Sequence, residues 1–120
     1  MPWILSRPSG IPDPINIGSV AALYAATVIP DASQGGIQII TPTNGTAFTI
    51  NAPIHLVLGQ RILFTIRNTT GGALGTITWN AAYHLAPWTN PATGNSRSIE
   101  FVYDGVRLTE VNRTATDIPN

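Results

Sequence analysis

The chain has 120 residues, a length that suits one domain built around a single hydrophobic core. Its six cationic side chains, all arginine, balance six carboxylates, so it lacks the positive field that non-specific nucleic-acid binding requires. Without cysteine or lysine it has no disulfide, no thiolate nucleophile, no Cys-based metal site and no Schiff base.

Residues 1–19 are predicted to form an extended arm, followed by one β-domain over residues 20–120. Four prolines between positions 2 and 14 fix the backbone and remove donors, which excludes an ordinary helix or central strand. The arm is too apolar for a solvated linker, so we expect it to dock on its own domain, on a neighbouring subunit or on a larger scaffold. The predicted contact residues are Trp3, Ile4, Leu5, Ile11, Ile15 and Ile17.

The same prolines interrupt the apolar core that a signal peptide would need. The longest apolar run, residues 20–29, is too short to span a bilayer. We therefore expect no membrane partner, and we expect the chain to fold in a cytoplasm.

Short strands are predicted through the first half of the β-domain. Residues 20–29 favour one strand slightly over a short helix, because the Thr-Val-Ile ending outweighs the alanines. Residues 37–41 are predicted as a strand that turns at residues 42–45 into a hairpin with residues 47–50. Asn44-Gly45 supports this turn, since Asn-Gly adopts positive φ at low cost.

The segment Arg61–Arg67 alternates cleanly between apolar and polar residues, which places Ile62, Phe64 and Ile66 on the core face of a strand. Residues 68–73 are predicted to close a hairpin to a further strand over residues 74–80. A longer excursion over residues 81–95 follows, and loops carried by a rigid sheet are where binding residues concentrate.

The strongest local pattern is a pair of alternating runs over residues 97–111, joined by Asp104-Gly105, the preferred two-residue turn of type I′. This turn predicts three cross-strand pairs: Tyr103 with Val106, Phe101 with Leu108, and Ile99 with Glu110. The alternating runs and the turns together predict an all-β fold of antiparallel strands.

Carboxylates and histidines are too few and too scattered for the common hydrolytic and metal sites. The predicted hairpin puts Glu100 and Glu110, the two glutamates, on opposite faces, whereas a glycosidase needs two carboxylates in one cleft. His55 and His84 are the two histidines, one fewer than a three-imidazole zinc site requires, and no HExxH motif is present.

Ser33 or Ser96 can be combined on paper with His84 and Asp104 into a catalytic triad, but no nucleophile-elbow sequence surrounds either serine. The Gly-Gly pair at residues 71–72 is not a phosphate loop, because a strand rather than a helix follows it. We therefore predict no catalytic residue, no cofactor and no metal, and we expect that the chain is not an enzyme.

The excursion over residues 81–95 carries a candidate ligand surface formed by Tyr83, His84, Trp88 and Asn90. Exposed tyrosine and tryptophan rings can stack on sugars, with their polar atoms left for hydrogen bonds. The competing interpretation is that these aromatic residues belong to the core or to a subunit interface, which is their more frequent role. The sequence leaves both interpretations open.

Residues 59–113 resemble a module that recurs in virion proteins of tailed bacteriophages. The resemblance is carried by RNTTGG at residues 67–72, TITW at residues 76–79 and FVYDG at residues 101–105. It covers roughly the last half of the chain, and its motifs describe a fold rather than a catalytic site. Similar modules form β-sandwich ends of tail fibres, spikes and capsid-surface proteins, many of them homotrimers.

The resemblance implies an antiparallel, jelly-roll-like β-sandwich behind the extended arm. Because the chain has no repetitive fibre shaft, the favoured role is a capsid decoration or cement protein on the virion surface, made in the host bacterial cytoplasm. Its expected partners are further copies in a homotrimer and the major capsid protein of the same phage; the charge-poor composition also favours an assembly. The alternative is a receptor- or glycan-binding head of a tail fibre or spike, with a host surface glycan as ligand.

Overall fold

The computed structural model describes residues 18–120, and every helix or strand that it contains in that part of the chain is a β-strand, so the predicted all-β class is confirmed. Residues 18–120 contain no helix with the length and apolar character needed to cross a bilayer. The predicted arm contacts Trp3, Ile4, Leu5, Ile11, Ile15 and Ile17 lie outside the described residues. The described strands are β1 (Ser19–Ala21), β2 (Thr27–Val28), β3 (Ile37–Ile40), β4 (Phe48–Ile50), β5 (Arg61–Arg67), β6 (Ile77–Trp79), β7 (Tyr83–His84), β8 (Asn95–Tyr103), β9 (Leu108–Arg113) and β10 (Ile118–Pro119).

The first six strands alternate between a large and a small sheet. In the large sheet β1, β3 and β5 lie side by side and parallel, with Ile37 opposite Leu63. In the small sheet β2, β4 and β6 are likewise parallel, with Phe48 opposite Ile77. The chain thus winds through three stacked coils of two strands each, which is the arrangement of a β-solenoid.

The two hairpins predicted before residue 80 are wrong. The turns at residues 42–45 and 68–73 lie in connections that carry the chain from one sheet to the other, so neither β3 and β4 nor β5 and β6 are paired. The single strand expected over residues 20–29 is divided between β1 and β2, one in each sheet. Parallel pairing replaces the expected antiparallel pairing because an alternating pattern determines which side chains face inward, not which strand lies alongside.

Two glycines allow the connections of neighbouring coils to stack. A Cβ on Gly75 would lie 2.5 Å from the oxygen of Gly45 and 2.5 Å from the nitrogen of Ala47, and a Cβ on Gly45 would lie 2.9 Å from the oxygen of Ala73. Those distances are too short for any side chain. Gly45, predicted as part of a hairpin turn, is therefore needed for close backbone approach between coils.

An antiparallel hairpin extends the large sheet beyond the third coil. β8 pairs antiparallel with β5 along the whole of Arg61–Arg67, and β9 pairs antiparallel with the other edge of β8. β7 adds to β9 in parallel, and β10 pairs with the start of β8. Among the described strands, the antiparallel pairing predicted from the sequence is found in this part.

The turn of this hairpin differs from the prediction. Residues 104–107 form a four-residue connection instead of a two-residue turn, although Gly105 has the positive φ, 96°, that Asp-Gly suggested. The predicted register is therefore wrong. The observed pairs are Tyr103 with Leu108, Phe101 with Glu110, and Ile99 with Arg113.

The core lies between the two sheets and continues under the hairpin. The predicted core face of β5 is confirmed, because its three inward side chains are fully buried: Ile62, Phe64 and Ile66. Phe64 packs edge-on against the rings of Trp79, Tyr83 and Phe101, with centroids 5.5, 5.6 and 5.9 Å away. Each such pair contributes about 0.5–1.5 kcal/mol beyond the burial of its area.

Asn68 holds the connection after β5 in place. Its buried side chain donates from Nδ2 to the oxygens of Gly72 (2.9 Å) and Pro91 (3.1 Å). Its Oδ1 accepts from the backbone nitrogen (3.0 Å) and the hydroxyl (2.8 Å) of Thr70. These bonds tie the RNTTGG segment to the excursion over residues 81–95.

Candidate functional site

An open groove of about 390 Å³ lies between the end of β6 and the chain that follows β7. Trp79, the last residue of β6, forms one wall, and residues 85–88 together with Asn90 form the other. The volume is in the range of small-molecule sites. The lining is apolar or uncharged and includes Thr76, Trp79, Leu85, Pro87, Trp88 and Asn90.

Two of the four predicted ligand residues, Trp88 and Asn90, lie in this groove and are hydrogen-bonded to each other. Trp88 donates from Nε1 to Asn90 Oδ1 at 3.0 Å, and Asn90 donates from Nδ2 to the oxygen of Gly75 at 2.9 Å. Both residues are half-buried. Because the one polar atom of the indole is already bonded, Trp88 offers apolar ring surface to the groove.

The other two predicted ligand residues lie elsewhere. Tyr83 is only 5% exposed, and its hydroxyl donates to the oxygen of Asn51 at 2.7 Å. Burial raises the pKa of Tyr83 well above its ordinary value, and the ring is not available to a surface ligand, so it is a core residue. His84 is exposed on β7 opposite Thr109 and does not line the groove.

Glu110 and Arg113 of β9 fasten the wall that carries Trp88. Arg113 donates from Nε and Nη2 to the carboxylate of Glu110, and from Nη1 and Nη2 to the oxygens of Pro87 and Ala86, each at 2.9 Å. Glu110 Oε1 accepts from the nitrogen of Ala86 at 2.9 Å. This Glu110–Arg113 clamp holds the main chain immediately before Trp88.

The clamp is electrically balanced. The hydrogen bonds from Arg113 hold the pKa of Glu110 below its usual range, and those to Glu110 raise the pKa of Arg113. The guanidinium carbon of Arg113 lies 5.9 Å from the Trp88 ring centroid, within cation–π reach. The groove therefore has an uncharged lining beside a neutralised ion pair.

Trp79 is a groove residue that the sequence assigned only to a strand. Its ring is T-shaped to Trp88, with centroids 5.5 Å apart and planes at 68°. Its Nε1 is buried and has no hydrogen-bond partner in the described part of the chain. Such an unsatisfied donor costs about 1–3 kcal/mol. Alternation could show that Trp79 faces inward, but not that the wall carrying Trp88 lies against it.

A second polar cluster joins Asp31, Ser33 and His55. Asp31 Oδ1 accepts from the Ser33 hydroxyl at 2.6 Å and lies 2.9 Å from His55 Nδ1. The bonds from Ser33 and then His55 lower the pKa of Asp31 to about 2. His55 has a φ of 61°, which is uncommon for a residue other than glycine. Because serine and imidazole meet the same carboxylate oxygen, the geometry is that of a braced turn rather than an activated hydroxyl.

The other carboxylates considered for catalysis lie apart. Asp104 accepts from two backbone nitrogens of its own turn, at 2.8 and 2.9 Å. Glu110 lies opposite the buried Phe101, whereas Glu100, one position earlier on β8, lies on the outer face, so the two glutamates fall on opposite faces as predicted. In residues 18–120 no group of three acidic or histidine side chains could hold a metal ion.

Comparison with known proteins adds no assignment: no family model, curated protein or solved structure matches the chain. The resemblance of residues 59–113 to a phage virion module therefore stays a prediction.

Proposed function

We propose that the chain is a non-enzymatic structural protein of a tailed bacteriophage that decorates and stabilises the capsid exterior as a homotrimer. The proposal places it on the capsid surface of the virion, with the major capsid protein as its second partner. It rests on the phage-like motifs over residues 59–113 and on the outer face of the large sheet. It does not depend on a jelly-roll topology, because stacked coils extended by a hairpin also make a rigid head.

The observation that carries the proposal is an aliphatic strip on the outer face of the large sheet. Ile37 and Ile39 of β3 alternate with buried residues and are half-exposed, and Leu63 of β5 lies opposite Ile37 with the same exposure. Neighbouring strands lie about 4.8 Å apart, so these side chains form a continuous aliphatic surface, which borders a depression lined by Leu63, Ser98 and Glu100. An exposed aliphatic surface suits packing against a further copy.

Polar residues border this strip on the side of β8. Thr65 and Ser98 share a hydrogen bond of 2.8 Å between their hydroxyls, and Arg61 Nη1 lies 3.7 Å from Glu100 Oε1. An apolar centre with a paired polar border is the usual anatomy of a protein interface. The predicted arm, residues 1–19, would add the capsid contact, and nearly all of it lies outside the described residues.

Quantitative mass spectrometry of purified virions tests the capsid role through the copy number of this chain relative to the major capsid protein. A ratio near parity supports decoration of the whole shell, whereas a trace amount contradicts it and moves the chain to the tail or a vertex.

Analytical ultracentrifugation tests the trimer. We expect Leu63→Asp to dissociate it and Thr78→Asp, an exposed change on the small sheet, to leave it intact. A wild-type monomer without affinity for capsid shells would contradict both parts.

The groove between Trp79 and Trp88 favours a second candidate, a receptor-binding head of a tail fibre or spike. The measurement is binding of the purified protein to host cells. Saturable binding that is lost in Trp88→Ala and kept in His84→Ala would support this role, because His84 is exposed but does not line the groove. Binding that both variants keep would exclude the groove as the receptor site.

A further inference from the structure

The groove combines apolar ring surface with a few polar atoms that can form a further hydrogen bond. Trp88 contributes indole carbon surface, since Asn90 binds its nitrogen. Asn90 Oδ1 accepts one bond from Trp88 and has a second lone pair available. Thr76 adds an exposed residue with a hydroxyl, and Trp79 adds a second aromatic residue to the lining.

The lack of charge in the groove lining indicates which class of ligand would fit. The groove lining contains no ionisable side chain. The nearby charged groups of Glu110 and Arg113 are hydrogen-bonded to each other and to the main chain of residues 86 and 87. A carboxylated or phosphorylated ligand would lose hydration here without gaining a free counter-charge. The site is therefore suited to an uncharged ligand.

The walls of the groove are also fixed before any ligand arrives. The clamp holds residues 86 and 87 to β9, Asn90 binds the oxygen of Gly75, and Trp79 packs edge-on against Trp88. A preformed aromatic surface loses little conformational entropy on binding. This matters most for weak ligands with few contacts, such as single sugar rings.

We infer that the Trp79–Trp88 groove binds an uncharged pyranose, whose C–H face packs on the Trp88 ring and whose hydroxyls meet Asn90 Oδ1 and the Thr76 hydroxyl. A pyranose has both an apolar face and a ring of hydroxyls, which matches the mixture of surfaces in the groove. The inference names the ligand class of the receptor-binding candidate and rests on that candidate's groove. Capsid decoration neither requires nor excludes it.

The experiment is a titration of the purified full chain followed by tryptophan fluorescence, with glucose, galactose and N-acetylglucosamine as neutral probes. Glucuronate is the charged counterpart of glucose. We expect saturable binding of at least one neutral probe in the millimolar range, and binding of glucuronate about tenfold weaker than that of glucose. No saturation with any neutral probe, or tighter binding of glucuronate, would overturn the inference.

Variants locate the site. Trp88→Ala should abolish binding and Trp88→Phe should keep part of it, whereas His84→Ala should leave the affinity unchanged. Because Trp88→Ala also removes packing against Trp79, Thr76→Val provides a second test that removes an exposed hydroxyl and keeps the side-chain shape. We expect it to weaken binding several-fold with an unchanged thermal midpoint. Sugar affinity unchanged in both Trp88→Ala and Thr76→Val would place the site elsewhere and overturn the inference.

A synthetic peptide with the sequence of residues 1–17 is the competing occupant, since proline-rich segments dock in aromatic grooves. If this peptide displaces the sugar and binds more tightly, the groove is an arm-binding site and the sugar assignment is overturned. Sugar binding measured on the isolated protein is separate from cell adsorption and from copy number in virions. Failure of this inference can therefore be distinguished from failure of either proposed function.

Discussion

Glu110 and Arg113 lie on the same face of β9, although residues three apart in a regular strand point to opposite faces. The reason is a β-bulge: Glu110 pairs with Phe101 and Asn112 with Glu100, so Val111 is an extra residue between two consecutive positions of β8. Because of the bulge, Arg113 lies on the inward face of β9, as Glu110 does. The clamp on the groove therefore depends on one inserted residue.

Replacing Arg113 with lysine should weaken this clamp. Lysine keeps the charge but cannot reach the Glu110 carboxylate and two backbone oxygens with a planar fork. We expect Arg113→Lys to lower the free energy of unfolding by roughly 1–3 kcal/mol and to expose Trp88 to solvent, measured by chemical denaturation and by fluorescence quenching. Arg107→Lys, in the exposed hairpin turn, is the matched control. Equal quenching in the two variants would show that the clamp does not position Trp88.

Gly75→Ala should destabilise the stacking of the second and third coils. The new Cβ would lie 2.5 Å from two backbone atoms of the neighbouring connection, which cannot turn aside as a flexible side chain could. We expect a loss of about 1–3 kcal/mol in the free energy of unfolding. Gly72→Ala is the control, because no atom lies within 4 Å of its added Cβ. A Gly75→Ala protein as stable as this control would be incompatible with the coil stacking described.

Asn68→Ala should destabilise the protein by roughly 1–3 kcal/mol, because it leaves without a hydrogen bond the backbone groups that the buried amide now satisfies. The measurement is equilibrium unfolding in urea. Asn68→Asp is an informative companion: it keeps the shape but turns a donor toward two carbonyls into an acceptor, so we expect it to be at least as damaging. The exposed neighbour Thr69, changed to alanine, should have little effect.

Acid should remove the stabilisation that Asp31 contributes. Its pKa is about 2 in the folded chain against an ordinary 3.8, so the carboxylate stabilises the fold above pH 3.8, and this contribution is lost as the pH falls towards 2. We expect the thermal midpoint of Asp31→Asn to lie below that of the wild type at neutral pH and to converge with it near the acid end. A constant difference across the whole pH range would mean that ionisation of Asp31 is not the cause.

The sequence predicted the side-chain facing of the fold better than its connectivity. Ile62, Phe64 and Ile66 were assigned to the core because alternation depends only on the strand itself, and they are fully buried. The same alternation is compatible with a parallel or an antiparallel neighbour. The Asn44-Gly45 pair therefore suggested a hairpin, where the chain instead crosses to the other sheet beside Gly75.

The candidate site was predictable only in part for a similar reason. Trp88 and Asn90 were placed in a binding excursion from local composition, and they do line the groove. Tyr83 could not be distinguished from them, because its burial depends on packing against Phe64 and Phe101, which are distant in sequence. The role of Arg113 depends on the bulge at Val111, and a valine in a strand does not indicate a bulge.

The pair formed by Trp79 and Trp88 gives the molecule an internal optical reporter. Two indoles with centroids 5.5 Å apart and planes at 68° are close enough for their electronic transitions to couple, and the coupling depends on distance and angle. Circular dichroism of the aromatic region should therefore contain a contribution that belongs to this pair. A change in that spectrum would report movement between β6 and the wall carrying Trp88 without any attached label.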